Sequence, residues 1–167
     1  VQEVCPEAII QRCTFHIANE ICTWLTKKPK SDAARELRQL ARCLSTVENH
    51  SQAQLWLREF IDWYNKYEEY INEKSIDEIS GRWWYTHKML HRSCTHIKRA
   101  IPNMFNYTRY ANIPKTSNSI ESFFGHLKDH LRLHRGLSNE HFRDFVKWYL
   151  YLKSNQGKIA KKYEREK

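Results

Sequence analysis

Apolar positions recur at helical spacing along most of this chain. Ile17, Ile21, Trp24 and Leu25 share one face of a segment spanning residues 15–27, which Lys27-Lys28-Pro29-Lys30-Ser31 breaks. Ser31 or Asp32 then caps a helix with Leu37, Leu40, Ala41 and Leu44 on one side. A longer helix is predicted over residues 51–72, with Leu55, Leu57, Phe60, Ile61, Tyr64 and Tyr67 as its apolar stripe. Ser80-Gly81 is the next break, and residues 82–100 read as another long helix ending before Pro102. Residues 103–116 hold two breakers and no clean period, so they read as loop, with a short helix or strand near 104–107. Thr116-Ser117-Asn118-Ser119 signals a helix start in front of Ile120, Phe123, Phe124, Leu127 and Leu131, and Gly136 ends it. Ser138-Asn139-Glu140 caps a last helix through Phe142, Phe145, Val146, Tyr149 and Leu150, and the Lys-rich stretch from Asn155 reads as a frayed tail. Ahead of all these, residues 8–13 form a β-branched run after Pro6 that reads as one buried strand. The fold class is therefore mainly α, about six helices with one or few short strands.

Composition agrees with that pattern. Hydrophobic residues make up 41% of the 167, enough for a core, and only four Gly and four Pro argue against a turn-rich all-β chain. No apolar run approaches the roughly 20 residues of a membrane span, and no signal-peptide pattern is present. The chain opens on Val1 rather than Met, so a processed or trimmed product with an upstream start is expected. Five widely spread cysteines, an odd number without a secretion signal, fit free thiols in a reducing compartment. Lys and Arg total 28 against 19 Asp and Glu, a net +9 that favours acidic partners, nucleic acid first among them.

Four groups of residues carry candidate chemistry. Glu121 falls in the first turns of its helix, where a carboxylate also suits the helix dipole, and Lys128 lies two turns further on the same face. A carboxylate that holds a metal and a cation that holds the nearby phosphate would want that spacing. Cys13-x-x-His16 is half of a zinc spacing, with Cys94-x-His96 or Cys22 as possible complements; a buried thiol and a hydrogen-bonded histidine serve equally, and zinc is not expected. Arg82-Trp83-Trp84-Tyr85-x-His87-Lys88-x-x-His91-Arg92 interleaves rings and cations on one predicted helix, a pattern suited to unstacked bases and phosphates at DNA ends, with one of the two tryptophans also suiting the core. The fourth group is His126, His130, His134 and His141; the first three recur every four residues and share a face, read as a titratable basic surface toward DNA in preference to the alternative, an i, i+4 metal site.

The ordered set is more specific than any member. Gln11-Arg12-Cys13-x-x-His16, Arg82-Trp83-Trp84-Tyr85-Thr86-His87, Asn106-Tyr107, Ile113-Pro114-x-Thr116-x-Asn118-x-Ile120-Glu121 and His134-Arg135-Gly136-Leu137-Ser138 follow one another along nearly the whole chain. That order resembles the C-terminal half of bacterial insertion-sequence transposases of the Mutator-like group.

The resemblance implies an RNase H-like core with an Asp-Asp-Glu triad, Mg²⁺ as cofactor and double-stranded DNA as partner, both transposon ends and target. It also implies a dimer or higher assembly in the full transposase, working in the bacterial cytoplasm with nucleoid DNA and no membrane. Residues 1–16 would hold a residual core strand and the Cys-x-x-His pair. Residues 17–100 would be a helical insertion, 101–154 the C-terminal core helices, and 155–167 a basic tail. Glu121 would be the third acid and a metal ligand. Lys128, Arg82, Trp83, Trp84, Lys88, Arg92, Lys115, Arg132 and Arg135 would face DNA. Both aspartates should precede residue 5, so the chain alone is expected to lack strand-transfer activity. The alternative is a transposase-derived DNA-binding, regulatory or interaction protein without catalysis.

Overall fold

The computed structural model describes residues 5–164, with side chains through Asn155. Among the described residues it is mainly helical, six helices and two short strands in a single antiparallel pair. The helices are α1 (Thr14–Trp24), α2 (Asp32–Cys43), α3 (His50–Asn72), α4 (Lys88–Met104), α5 (Asn118–Leu133) and α6 (Asn139–Glu164). The strands are β1 (Lys74–Ile76) and β2 (Trp83–Tyr85). By contacts the chain divides into two compact units, Val1–Thr116 and Ser117–Lys167.

In the first unit α1 packs on α2 and α4, and α3 packs on both α2 and α4. The helix starts follow their capping residues. Ser31 Oγ accepts from the Ala34 N–H at 3.3 Å, and Asn49 Oδ1 accepts from the Gln52 N–H at 3.0 Å. The core gathers Ile17, Ile21 and Leu25 of α1, Leu37 and Ala41 of α2, Leu44 after it, and Ile97, Ala100 and Met104 of α4.

Helix α3 uses most of the predicted stripe, with Phe60 buried and Leu57, Tyr64 and Tyr67 packed partly buried against the core, but centres it on other residues. Ala53, Trp56, Phe60, Trp63 and Ile71 face the core, while Leu55 and Ile61 are exposed. Both indoles find acceptors as they are buried: Trp56 Nε1 donates to the Leu40 carbonyl at 2.8 Å and Trp63 Nε1 to the Ala33 carbonyl at 3.1 Å. A large ring with a partnered N–H removes more apolar area from water than Leu or Ile, so the tryptophan face wins.

The predicted strand at residues 8–13 is not one. The segment is extended but lies against the end of α4. Arg12 N–H donates to the Asn103 carbonyl at 2.8 Å and the Gln11 amide to the Met104 carbonyl at 2.9 Å, groups that a helix end leaves unused. Asn106 Nδ2 returns a bond to the Ile10 carbonyl at 2.7 Å. The Arg12 N–H and the Gln11 side-chain amide are thus taken by a helix terminus rather than by a sheet.

Residues 82–87 are not helical either. Asp77 folds the chain back: its Oδ1 accepts from the Ile79 N–H at 2.9 Å and its Oδ2 from the Ser80 hydroxyl at 2.9 Å. These bonds hold its carboxyl below the usual range. Gly81 takes φ 66°, and Trp83-Trp84-Tyr85 then pair with Lys74-Ser75-Ile76. Helix α4 starts later, at Lys88, and continues past Pro102 to Met104, because Ala100 and Met104 on either side of the proline are fully buried. The region near 104–107 contains a short 3-10 turn over Asn106–Thr108.

In the second unit, α5 runs to Leu133, two residues short of the predicted Arg135, and Gly136 takes φ 94°. Ser138 caps α6 by accepting from the His141 N–H at 3.2 Å. Rings join the two helices: Phe123 meets Tyr149 edge-on at 5.6 Å, and His134 meets Phe145 at 5.3 Å. The backbone of α6 continues as helix through the stretch predicted to fray, as far as Glu164; residues 1–4 and 165–167 of the predicted terminal regions lie outside the described residues.

Candidate nucleic-acid interface and metal-ligating glutamate

Glu121 stands in the first turn of α5, exposed, with its N–H bonded to the Ser117 carbonyl at 2.9 Å. The Ser117 hydroxyl donates back to its Oε1. The carboxylate is thereby held at a helix start, where the dipole favours negative charge. Lys128, seven residues on, is exposed on the same side. Of the three spaced histidines, His130 and His134 turn toward Tyr149 and Phe145 of α6, and His126 is exposed. Arg132 is exposed and lies 3.4 Å from Asp129; Arg135 is exposed beyond the helix end.

The interleaved aromatic and basic stretch is split between two elements of the first unit. Trp83 and Trp84 stand on opposite faces of β2, 54% and 48% exposed. Lys74 on the paired strand sits 4.3 Å above the Trp83 ring. Arg82 is exposed at the turn. The rest of the stretch enters α4 and borders an open concavity of about 610 Å³ between α1, β2 and α4. Trp24, Tyr85, Lys88, Arg92 and Arg99 supply its rings and cations. Arg92 lies 4.1 Å over the Trp24 ring, and Tyr85 stacks on His91 at 3.6 Å.

Two histidines in this groove are held neutral more readily than usual. Burial lowers His96, with Arg12, Arg92 and Arg99 adding to the effect and Glu20, 3.0 Å from its Nε2, opposing it. Burial lowers His91 as well, helped by Lys98. Trp24 under Arg92, and Arg99 on the same groove, are functional candidates that the sequence pattern did not single out; the signal for Arg99 lay in its i, i+7 spacing from Arg92 on α4.

Lys115 is engaged elsewhere. Its Nζ donates to the Ser45 carbonyl at 2.6 Å and to Glu48 Oε1 at 2.9 Å, with the side chain only 19% exposed. Cys13 occupies the N-cap position of α1, half-buried, and His16 is exposed with its ring edge-on to Phe15 at 5.7 Å. The Cys-x-x-His pair thus opens a helix instead of closing a strand. Cys94 is buried in the core, and that burial pushes its thiol up to about 11. Among the described residues no group of three His, Cys, Asp or Glu side chains is placed to hold a metal ion.

Comparison with protein-family models, with curated proteins and with solved structures finds no match to this chain. No helix among the described residues is long and apolar enough to cross a membrane.

Proposed function

We propose that this chain is the glutamate-bearing part of a cut-and-paste DNA transposase. In this reading it meets duplex DNA through its basic and aromatic surfaces and contributes Glu121 as one metal-ligating carboxylate. The observation that carries the reading is the position of Glu121: an exposed first-turn acid, braced by Ser117, with Lys128 two turns along the same face. It sits within the ordered motif set that resembles Mutator-like transposases.

The reaction would be hydrolysis of a phosphodiester at the transposon end, followed by attack of the freed 3′-hydroxyl on target DNA. Two Mg²⁺ ions supply activation of the attacking oxygen and stabilisation of the leaving one when bound. A carboxylate oxygen is a suitable donor for so hard a cation, and Glu121 fits as one ligand. One glutamate supplies too little negative charge for two ions, so the residues described do not complete such a site. The part this chain's own residues play is to hold the phosphates: Lys128 two turns from Glu121, Arg132 in the last turn of α5 and Arg135 past its end, and Lys88 and Arg92 in the groove with Trp24 and Tyr85.

The second reading, a DNA-binding or regulatory protein without catalysis, is favoured by the ring-and-cation groove, which contains no residue of α5. Binding of a labelled duplex, titrated with KCl in the presence and absence of Mn²⁺, separates the two. The transposase reading expects affinity that falls steeply with salt, and a strengthening by Mn²⁺ that Glu121→Gln removes. Salt-dependent binding indifferent to both Mn²⁺ and Glu121→Gln favours the second reading. Absence of binding at about 50 mM salt sinks both.

A further inference from the structure

The two flanks of α2 are sorted by charge. On one side Glu36 joins Glu59 and Asp62 of α3 around an open groove, with Lys66 bonded to Glu36 at 2.8 Å. On the other, Lys27, Lys28, Arg35, Arg38 and Arg42 border a concavity of about 800 Å³ that no carboxylate and no aromatic ring lines. Lys27 and Lys28 belong to the run that breaks the chain between α1 and α2.

Arg35, Arg38 and Arg42 are spaced i, i+3, i+7, so they form one row along the helix. Arg35 is tied to Asp32 and to the Lys30 carbonyl. Among the described residues no carboxylate lies in ion-pair reach of Lys27, Lys28, Arg38 or Arg42. Arg38 is half-buried and its Nε has no acceptor there. The lysine pair is brought beside this row by Thr26, which takes φ 62° immediately after α1. A β-branched residue in the left-handed region is uncommon and costs about 1–2 kcal/mol, so the loop's path is specified against local preference.

We infer that this basic concavity between the α1–α2 loop and α2 is a second DNA contact, one that grips the phosphate backbone of a duplex without reading bases. Like charges gathered on one face, with only Arg35 among them paired to an acid among the described residues, cost self-repulsion that a polyanion relieves. The arginine row rises about 10 Å along α2, the axial advance of about three phosphates on one strand. The lack of rings separates it from the α1–β2–α4 groove, where stacking on bases is possible. The inference rests on the reading that the chain meets DNA.

The test is fluorescence-anisotropy binding of random-sequence duplexes at several KCl concentrations. It compares the wild-type chain, Lys27→Ala/Lys28→Ala, the same pair with Arg42→Ala, and Lys88→Ala/Arg92→Ala. The loop pair lies outside every helix, so it reports even if the triple variant loses its fold by circular dichroism. Each phosphate contact contributes about 0.9 to the logarithmic salt slope. The expected result is a slope lower by about 2 for the loop pair and by about 2 to 3 for the triple variant, equally on every sequence. Wild-type affinity and slope in the loop pair, with loss confined to the Lys88/Arg92 variant, would overturn this proposal and leave the DNA reading standing. Failure of the wild-type chain to bind any duplex, or binding only to phosphatidylserine vesicles, would overturn both.

Discussion

Trp63 of α3 donates its indole N–H to the Ala33 carbonyl in the first turn of α2, across 3.1 Å and in a buried setting. Trp56, two turns earlier on α3, makes the same kind of bond to the Leu40 carbonyl. These two bonds fix the rotation of α3 about its own axis. Trp63→Phe keeps most of the ring and loses the donor, and should destabilise the chain by about 1–2 kcal/mol. Trp63→Ala should cost about 3–5 kcal/mol through the cavity it leaves. Urea unfolding followed by circular dichroism measures both; equal stability of the Phe variant and wild type would mean the bond contributes nothing.

Thr26 offers the opposite sign. Its φ of 62° suits glycine, not a β-branched residue. Relief of the left-handed conformation outweighs the extra unfolded-state entropy of glycine, so Thr26→Gly should stabilise by roughly 0.5–1 kcal/mol. A raised urea midpoint with an unchanged slope is the expected outcome, and a lowered midpoint refutes it.

Lys115 should behave as a structural lysine. Its bonds to the Ser45 carbonyl and Glu48 tie the segment after α4 to the turn before α3. Lys115→Met should cost about 1–2 kcal/mol of stability while leaving the salt slope of DNA binding unchanged. Lys88→Ala should do the reverse, lowering the slope by about 1 with little loss of stability.

The groove histidines give a pH dependence. His96 and His91 both titrate below their ordinary value of 6.5, chiefly because burial penalises the charged ring. The unfolded chain therefore binds protons that the folded chain resists. Stability from these groups is present above 6.5 and is lost as pH falls through their folded values. Thermal midpoints should fall between pH 7 and pH 5, and His96→Gln should flatten that decline. A decline of identical size in the variant would assign it to other groups.

Much of the helical frame was legible because local signals and core packing agree. Ser31 and Ser138 announce helix starts that the structure uses, and the face formed by Ile17, Ile21 and Leu25 is the face that is buried. Where two faces competed, the sequence did not decide. Leu55 and Ile61 offered α3 a plausible edge to its stripe, and the larger rings of Trp56 and Trp63, with acceptors for their N–H groups on α2, are buried instead. The run Trp83-Trp84-Tyr85 joined a helical pattern on paper, yet Asp77 and Gly81 make the turn that pairs it with β1. At the candidate site, the first-turn position of Glu121 could be read from Thr116-Ser117-Asn118. The engagement of Lys115 could not, since its partners lie about seventy residues away. The arginine row on α2 is a visible periodicity, but its neighbouring lysines are brought there by a single backbone angle.

The extended segment at residues 10–12 bonds to Asn103, Met104 and Asn106 across sequence separations of 93 and 96 for its side-chain links. These bonds bring the two ends of the helical body together and close a loop of nearly its whole length. The entropic cost of that closure grows only slowly with length, and most packing inside the loop joins helices adjacent in sequence. The helices can therefore associate first and the clasp seal afterwards. The clasp also couples the two ends: loosening residues 10–12 would free the end of α4 at the same time, so fraying at one end exposes the other.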